Sequence, residues 1–225
     1  MPVFPIFPIP IYTDDVSDRF IYKKIQKELT DVMEKTEWEK LLNRPDTSHS
    51  LSPNAFARNI LKEYNCKHFL KYLHESVTAY LHTFGDMPIE YLIDSSWLTK
   101  TTKGEHALQH THGSADISGV YYLQTNGEDG TLFFQDANSD KVGNIVMDQA
   151  CSVTNSDAPL KQGLLHMWPG FMGHGTRPNT TDDVRISLSF NLIFARRGFT
   201  IKDNVDESER ALVVRKKGWK DVKCY

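Results

Sequence analysis

The chain has 225 residues, 40% hydrophobic and 11% aromatic, enough to bury one large core. Its 26 Lys and Arg against 29 Asp and Glu give a formal net charge of −3, so no basic excess serves nucleic acid phosphates or an anionic membrane surface. Cys66, Cys151 and Cys224 form no close pair and no CxxC motif, which argues against a disulfide framework and for a reducing, cytoplasmic location.

The segment Met1 to Pro10 is apolar but interrupted by prolines, and no basic stretch precedes it. It reads as neither signal peptide nor membrane helix, but as an extended segment along a sheet edge or the domain surface. Asp15 to about Leu42 places Phe20, Ile21, Ile25, Leu29, Val32 and Met33 on one helical stripe. Asn43 to Ser50 is polar, contains Pro45 and reads as a loop. A second helix is expected from Ser52, with Pro53 at its first position, running to Leu81 with a break near Asn65 and ending at Gly85. From residue 89 the segments become short and rich in β-branched and aromatic residues, divided by Gly, Asn and Asp. Strands are expected near 89–99, 107–113, 117–124, 131–135, 144–148, 163–168, 173–177 and 184–194. Asn126 to Gly130 is a turn signal, and Gln149 to Gln162 reads as a longer loop. About eight strands after a helical preface predict a mainly β chain with a jelly-roll or double-stranded β-helix core flanked by helices. The expected organisation is one domain over 1–225: supporting segment and helices 1–88, core 89–195 and extension 196–225. The charged tail from Phe199 would form a short hairpin or helix.

The chemistry concentrates in His110-Thr111-His112, followed by His174 and then Arg185-Ile186-Ser187. Alternate strand residues share a face roughly 7 Å apart, so His110 and His112 would emerge together. His174 would complete one face of a metal ion and leave the other open. Imidazole serves Fe, Zn, Cu and Ni alike. His106 shares the strand face but lies beside Gly104 and Glu105, where a loop is expected; it is at most a gateway residue. His166 sits in an apolar run and reads as a satisfied buried histidine. Trp97 and Trp168 read as core, with pocket lining the lesser reading for Trp97. Arg185, with Ser187, Ser189 and Asn191 as face mates, lacks an acid beside it on its strand. A bound dicarboxylate would supply the partner a buried guanidinium needs; a distant acid such as Asp94 or Asp136 is the alternative. Gly173 and Gly175 would let the backbone pass close to a metal or ligand, or simply end a strand.

Taken together, His110-Thr111-His112, Ser118 to Leu123 (SGVYYL), Gly163 to Pro169, His174 and Arg185 to Asn191 (RISLSFN) resemble the 2-oxoglutarate- and Fe(II)-dependent oxygenases. The resemblance is to a prolyl hydroxylase-like branch common in marine bacteria and their phages, and it runs from Trp97 to about Asn191. It implies that His110 and His174 are iron ligands, that Arg185, eleven residues after His174, binds the distal carboxylate of 2-oxoglutarate, and that Ser187 and Tyr121 assist it. Tyr121 and Tyr122 point to opposite faces, and the resemblance selects Tyr121. Most of the superfamily has a carboxylate where this chain has His112. Either His112 is itself the third ligand, or Asp116 takes over, or water or an anion fills the position; period-two geometry favours His112.

The expectation is a dioxygenase that uses Fe(II), 2-oxoglutarate and O2, with ascorbate in support, and hydroxylates a prime substrate with release of succinate and CO2. Its location would be cytoplasmic, in the host cytoplasm if phage-encoded. No membrane partner is expected, nucleic acid is disfavoured, and a homodimer is allowed. The alternatives are a cupin-like three-histidine enzyme without 2-oxoglutarate and a non-catalytic β-sandwich binding module.

Overall fold

Apolar periodicity decides where the helices lie, and two asparagines, Asn59 and Asn65, flank the shortest of them. The computed structural model describes residues 9–40, 49–85, 90–135, 155–194 and 211–212, with the backbone alone at 155 and 211–212. Helix α1 (Tyr22–Glu34) buries Ile25, Leu29 and Val32, a stripe one turn apart. It is shorter than expected because strand β1 (Tyr12–Asp15) precedes it and strand β2 (Glu39–Lys40) follows it. The second expected helix is divided. Residues 53–57 form a turn rather than a first helical turn. Asn54 there has φ 53°, and Ser52 is tied through its backbone N–H to Leu98 O at 3.0 Å. Helix α2 (Ile60–Glu63) starts at Asn59, whose side chain accepts from the Lys62 N–H. Asn65, φ 50°, separates it from α3 (Lys67–Leu81), which buries Phe69, Tyr72, Leu73, Ser76, Val77, Tyr80 and Leu81.

No side chain of its own caps α3 at Cys66. Glu28 of α1 supplies the acceptor instead, taking the N–H of His68 at 3.0 Å and of Phe69 at 3.1 Å, with His68 Nδ1 at 2.5 Å. A carboxylate at a helix N-terminus satisfies orphan donors and complements the helix dipole, so one residue both caps α3 and docks it on α1.

The strands form two sheets, antiparallel throughout. The larger contains β3 (Ser50–Leu51), β4 (Glu90–Thr101), β5 (Ile117–Gln124), β8 (Leu164–Pro169) and β10 (Arg185–Phe194) in the order β1-β8-β5-β10-β4-β3-β2, with β11 (Ala211–Leu212) also on β4. The smaller is β7 (Asn155–Asp157), β6 (Leu132–Gln135) and β9 (Gly173–Thr176) in the order β7-β6-β9. Successive strands β5 to β6 and β8 to β9 pass from one sheet to the other, the weave of a double-stranded β-helix. The expected strand at 107–113 is absent as such: His110 makes an isolated bridge to His174. Strand β7 lies inside the expected 149–162 loop, β11 pairs with β4 within the charged tail, and the strand expected at 144–148 falls outside the described residues.

The larger sheet has two different faces. Outward residues Ile117, Tyr121, Leu123, Leu165, Met167, Ile186, Leu188, Phe190 and Leu192 join the helices in one core. Inward residues Val120, Tyr122, Leu164 and Trp168 pack with Leu132 and Phe134 of the smaller sheet. Burying a Leu, Ile or Phe in either layer is worth about 1.5–3 kcal/mol. Replacement Glu28→Ala is expected to lower the unfolding free energy by about 1–2 kcal/mol, measured by denaturant unfolding, while the far-ultraviolet circular dichroism of the native protein stays unchanged.

Candidate active site

Period two on β10 builds the inner wall. Arg185, Ser187, Ser189 and Asn191 face inward, opposite Thr101, Thr99, Trp97 and Ser95 of β4. On the other side β5 contributes Ser118, Val120 and Tyr122. With residues of the smaller sheet these enclose a cavity of about 560 Å³.

His110, His112 and His174 meet at one end of that cavity. One nitrogen from each lies within 4.8 Å of the others, and the Nε2 atoms of His110 and His112 are 3.1 Å apart. The backbone makes this convergence. His110 and His174 exchange N–H···O bonds of 2.9 and 3.0 Å, and the His112 N–H donates to Gly170 O at 2.9 Å. Gly175 allows the approach, since a Cβ there would lie 2.9 Å from Ala107 O and 2.8 Å from the Phe133 ring.

Each Nδ1 is engaged away from the centre: His110 with Leu108 O at 2.7 Å, His112 with Asn191 Oδ1 at 2.7 Å and His174 with Met172 O at 2.8 Å. Trp168 Nε1 also approaches His174 Nδ1 at 3.2 Å; the shorter carbonyl contact assigns the proton to Nδ1. With three Nδ1–H donors, all three Nε2 lone pairs point inward, the arrangement of metal-binding histidines oriented by outer partners. Burial, and then the neighbouring His110 ring, pull His112 down to about 4 and His174 down to about 3, against the opposing hydrogen bonds to Asn191 and Met172. Both are therefore neutral at physiological pH, as ligation requires. Three convergent imidazoles fit a first-row divalent metal with open positions. Asp116 does not join them; its Oδ2 accepts from the Phe194 N–H at 2.8 Å.

Arg185 occupies the other end and is 2% exposed. Its Nη1 donates to Asp129 O at 2.9 Å and to Gly130 O, and Nη2 donates to Thr101 Oγ1 at 3.2 Å. Among the described residues no carboxylate pairs with it, Asp94 included; Asp136 lies outside them. Burial pulls the guanidinium below its ordinary value, opposed by nearby Tyr122 and Asp129. The hydrogen bonds of this buried cation therefore go to neutral oxygens alone among the described residues.

The tyrosine expectation is corrected. Ser187 pairs with Tyr122 and Leu188 with Tyr121, so the tyrosine on the same face as Ser187 and Arg185 is Tyr122, which lines the cavity. Tyr121 faces the helices, where its hydroxyl accepts from Gln26 Nε2 at 3.0 Å and its ring meets Phe69 at 5.3 Å. Burial pushes the Tyr122 phenol up to about 12, so it stays a hydrogen-bond donor.

Among the other histidines, His166 is fully buried between Thr13 Oγ1 at 2.9 Å and Pro159 O at 2.8 Å. His106 stays out of the centre, and its carbonyl accepts from His49 Nδ1 at 3.1 Å. His49, in a segment that read as a polar loop, lines the cavity; nothing in its neighbourhood of the sequence signalled this. Trp97 lines the cavity as well, stacked on His112 at 6.0 Å and 12°. Trp168 packs edge-on to His174 at 4.7 Å.

Comparison with known proteins gives a family match and a shared fold. Residues 95–191 match the family described as "Putative 2OG-Fe(II) oxygenase". No curated protein matches the chain in sequence. Among solved structures, the non-haem alpha-ketoglutarate-dependent carbocyclase SnoK from nogalamycin biosynthesis is similar at TM-score 0.59 and 13% identity, over 92% of each chain. HygX from Streptomyces hygroscopicus, solved with nickel, 2-oxoglutarate and hygromycin B bound, is similar at TM-score 0.53 and 13% identity over 82% of each chain. A Pseudomonas putida prolyl-4-hydroxylase is similar at TM-score 0.52 and 14% identity, over 84% of this chain and 94% of that one. At these identities the structural likeness concerns the fold.

Asn191 is the residue that orients His112, held in turn by Ser118 Oγ at 3.0 Å and Ser95 Oγ at 3.2 Å. Asn191→Ala is expected to weaken Fe(II) or Mn(II) binding about 10- to 100-fold, measured by metal titration of the apoprotein. Residues 95–191, which carry the inward histidine centre and much of the woven two-sheet core, are thus the part of this chain that is similar to the putative 2OG-Fe(II) oxygenases.

Proposed function

We propose that His110, His112 and His174 hold Fe(II), that Arg185 binds the distal carboxylate of 2-oxoglutarate, and that Tyr122, Thr101 and Ser187 assist it. The observation that carries this reading is the buried Arg185, with no carboxylate hydrogen-bonded to it among the described residues, in the same cavity as three convergent imidazoles. With Fe(II), 2-oxoglutarate and O2 bound, the site supplies oxidative decarboxylation to succinate and CO2 coupled to hydroxylation of a prime substrate.

The residues have separate tasks. The Arg185 fork is planar and matches a carboxylate bidentately, and its bonds to Asp129 O and Thr101 Oγ1 fix the plane before the ligand arrives. Tyr122 and Ser187 offer hydroxyl donors on the same face. Asn191 keeps the His112 ring from turning. Trp97, stacked on His112, keeps water from that side of the centre. Three neutral imidazoles leave the metal's 2+ charge intact, so a dianionic co-substrate neutralises a centre that lacks a carboxylate ligand. We further take the chain as a single-domain, cytoplasmic enzyme; the buried free thiol of Cys66 accords with a reducing compartment.

Calorimetric titration of 2-oxoglutarate into Mn(II)-loaded protein tests the assignment. Arg185→Ala is expected to weaken 2-oxoglutarate about 100-fold with metal binding retained, and Tyr122→Phe to weaken it about tenfold. Tyr121→Phe should leave that affinity unchanged and lower stability by about 1 kcal/mol. Absence of both 2-oxoglutarate binding and aerobic succinate formation in the wild-type protein would overturn the reading.

A further inference from the structure

Beside the histidine centre β4 carries one residue more than β10. Asn191 pairs with Ser95 and Leu192 with Ile93, which leaves Asp94 without a partner in the ladder. Strict alternation from Trp97 and Ser95 would turn Asp94 to the helices and Ile93 into the cavity. The bulge reverses this: Ile93 packs against the helix-side core and Asp94 lines the cavity. Helix α2 pins the distortion. Asn59 Nδ2 donates to Ile93 O at 2.9 Å, Asn59 Oδ1 accepts from Ser96 Oγ at 2.9 Å, and Arg58 O accepts from the Ser96 N–H at 2.9 Å. An apolar side chain has been moved out, and a carboxylate moved in, by a device held from a separate helix.

Asp94 is exposed and makes no hydrogen bond or ion pair among the described residues. Among the described residues lining the cavity it is the one carboxylate, and the one guanidinium, Arg185, already serves the co-substrate end. The same wall carries Trp97 and, edge-on to it at 5.4 Å, Phe56, which is 63% exposed. An unpaired carboxylate in the same cavity as the exposed Phe56 ring and the largely buried Trp97 favours a cation on an apolar carrier through ion pairing and cation–π attraction, and disfavours an anion.

The geometry points to a prime substrate that presents a protonated amine or guanidinium to Asp94 while its apolar or aromatic body lies against Phe56, at the edge of Trp97. This inference rests on the oxygenase reading of the cavity. The amine belongs either to a free small molecule or to a lysine side chain, and the test separates the two.

Full-length protein loaded with Mn(II) and 2-oxoglutarate is titrated with tryptamine, tryptophol and indole-3-acetate, which share a ring and differ in charge. A Trp-Lys dipeptide amide, with and without ε-acetylation, forms the second arm. Tryptamine should bind about tenfold or more tightly than indole-3-acetate, with tryptophol between, in line with a charge-assisted contact. Asp94→Asn should abolish that order and Asp94→Lys should invert it. Preference for the free amine alone assigns a small molecule, and preference for the unacetylated dipeptide assigns a lysine side chain; either supports the inference. Equal affinity for the three indoles while 2-oxoglutarate still binds, or a preference that survives Asp94→Asn, overturns it. Loss of 2-oxoglutarate binding itself would instead overturn the oxygenase reading, and this inference with it.

Discussion

The inner wall of the cavity is indexed to the alternation of one central strand. Because β10 is hydrogen-bonded on both sides, to β4 and to β5, it cannot slip by one residue without exchanging its two faces. One face is Ile186, Leu188, Phe190 and Leu192, sealed against the helices; the other is Arg185, Ser187, Ser189 and Asn191, turned to the cavity. The apolar face therefore sets the phase of the polar one. The cost of exposing four buried hydrophobic side chains, about 1.5–3 kcal/mol each, keeps the guanidinium at one end and the His112-orienting amide at the other.

The metal end is assembled differently. Its histidines come from an irregular segment and from a short strand of the opposite sheet, and each ring is steered by an oxygen on its Nδ1. Two of those oxygens are carbonyls only two residues away along the chain, so they come with the local backbone. The third, Asn191 Oδ1, is supplied from β10, and it serves His112. A ring needs such a steering contact at Nδ1, whereas a carboxylate would offer ligand oxygens without one.

Much of this was legible in the sequence where a strong period met a clean boundary. The strand at 117–124 is the one expected, and 185–194 differs by a single residue. The α1 stripe was visible, while its ends were not, since Tyr12–Asp15 and Glu39–Lys40 carry no helix stop and are drawn into sheet pairing by distant strands. The break at Asn65 could be foreseen, but the turn at residues 53–57 could not: Pro53 suits a helix start, and the backbone there answers instead to β4 through Ser52. The convergence of His110, His112 and His174 could be drawn from spacing, though not from the regular strand that spacing presumed. Tyr121 and Tyr122 were a question of parity, and parity needs a pairing partner. Ser187 opposite Tyr122 supplies it. The bulge at Asp94 has no sequence signature at all, because it exists only as a mismatch in count between two strands.

The reciprocal bonds between His110 and His174 join residues 64 positions apart. Closing a loop of that length costs conformational entropy that two backbone hydrogen bonds offset only weakly. A metal ion gripping both rings would act as a clasp on the same closure, so its binding energy is also folding energy for the segment around His110. In the apoprotein this region should open locally more often than the β10 ladder, and the amides of His110, His112 and His174 should exchange with solvent quickly until metal arrives. Iron supply would then set the lifetime of the protein against proteolysis as well as its capacity for turnover.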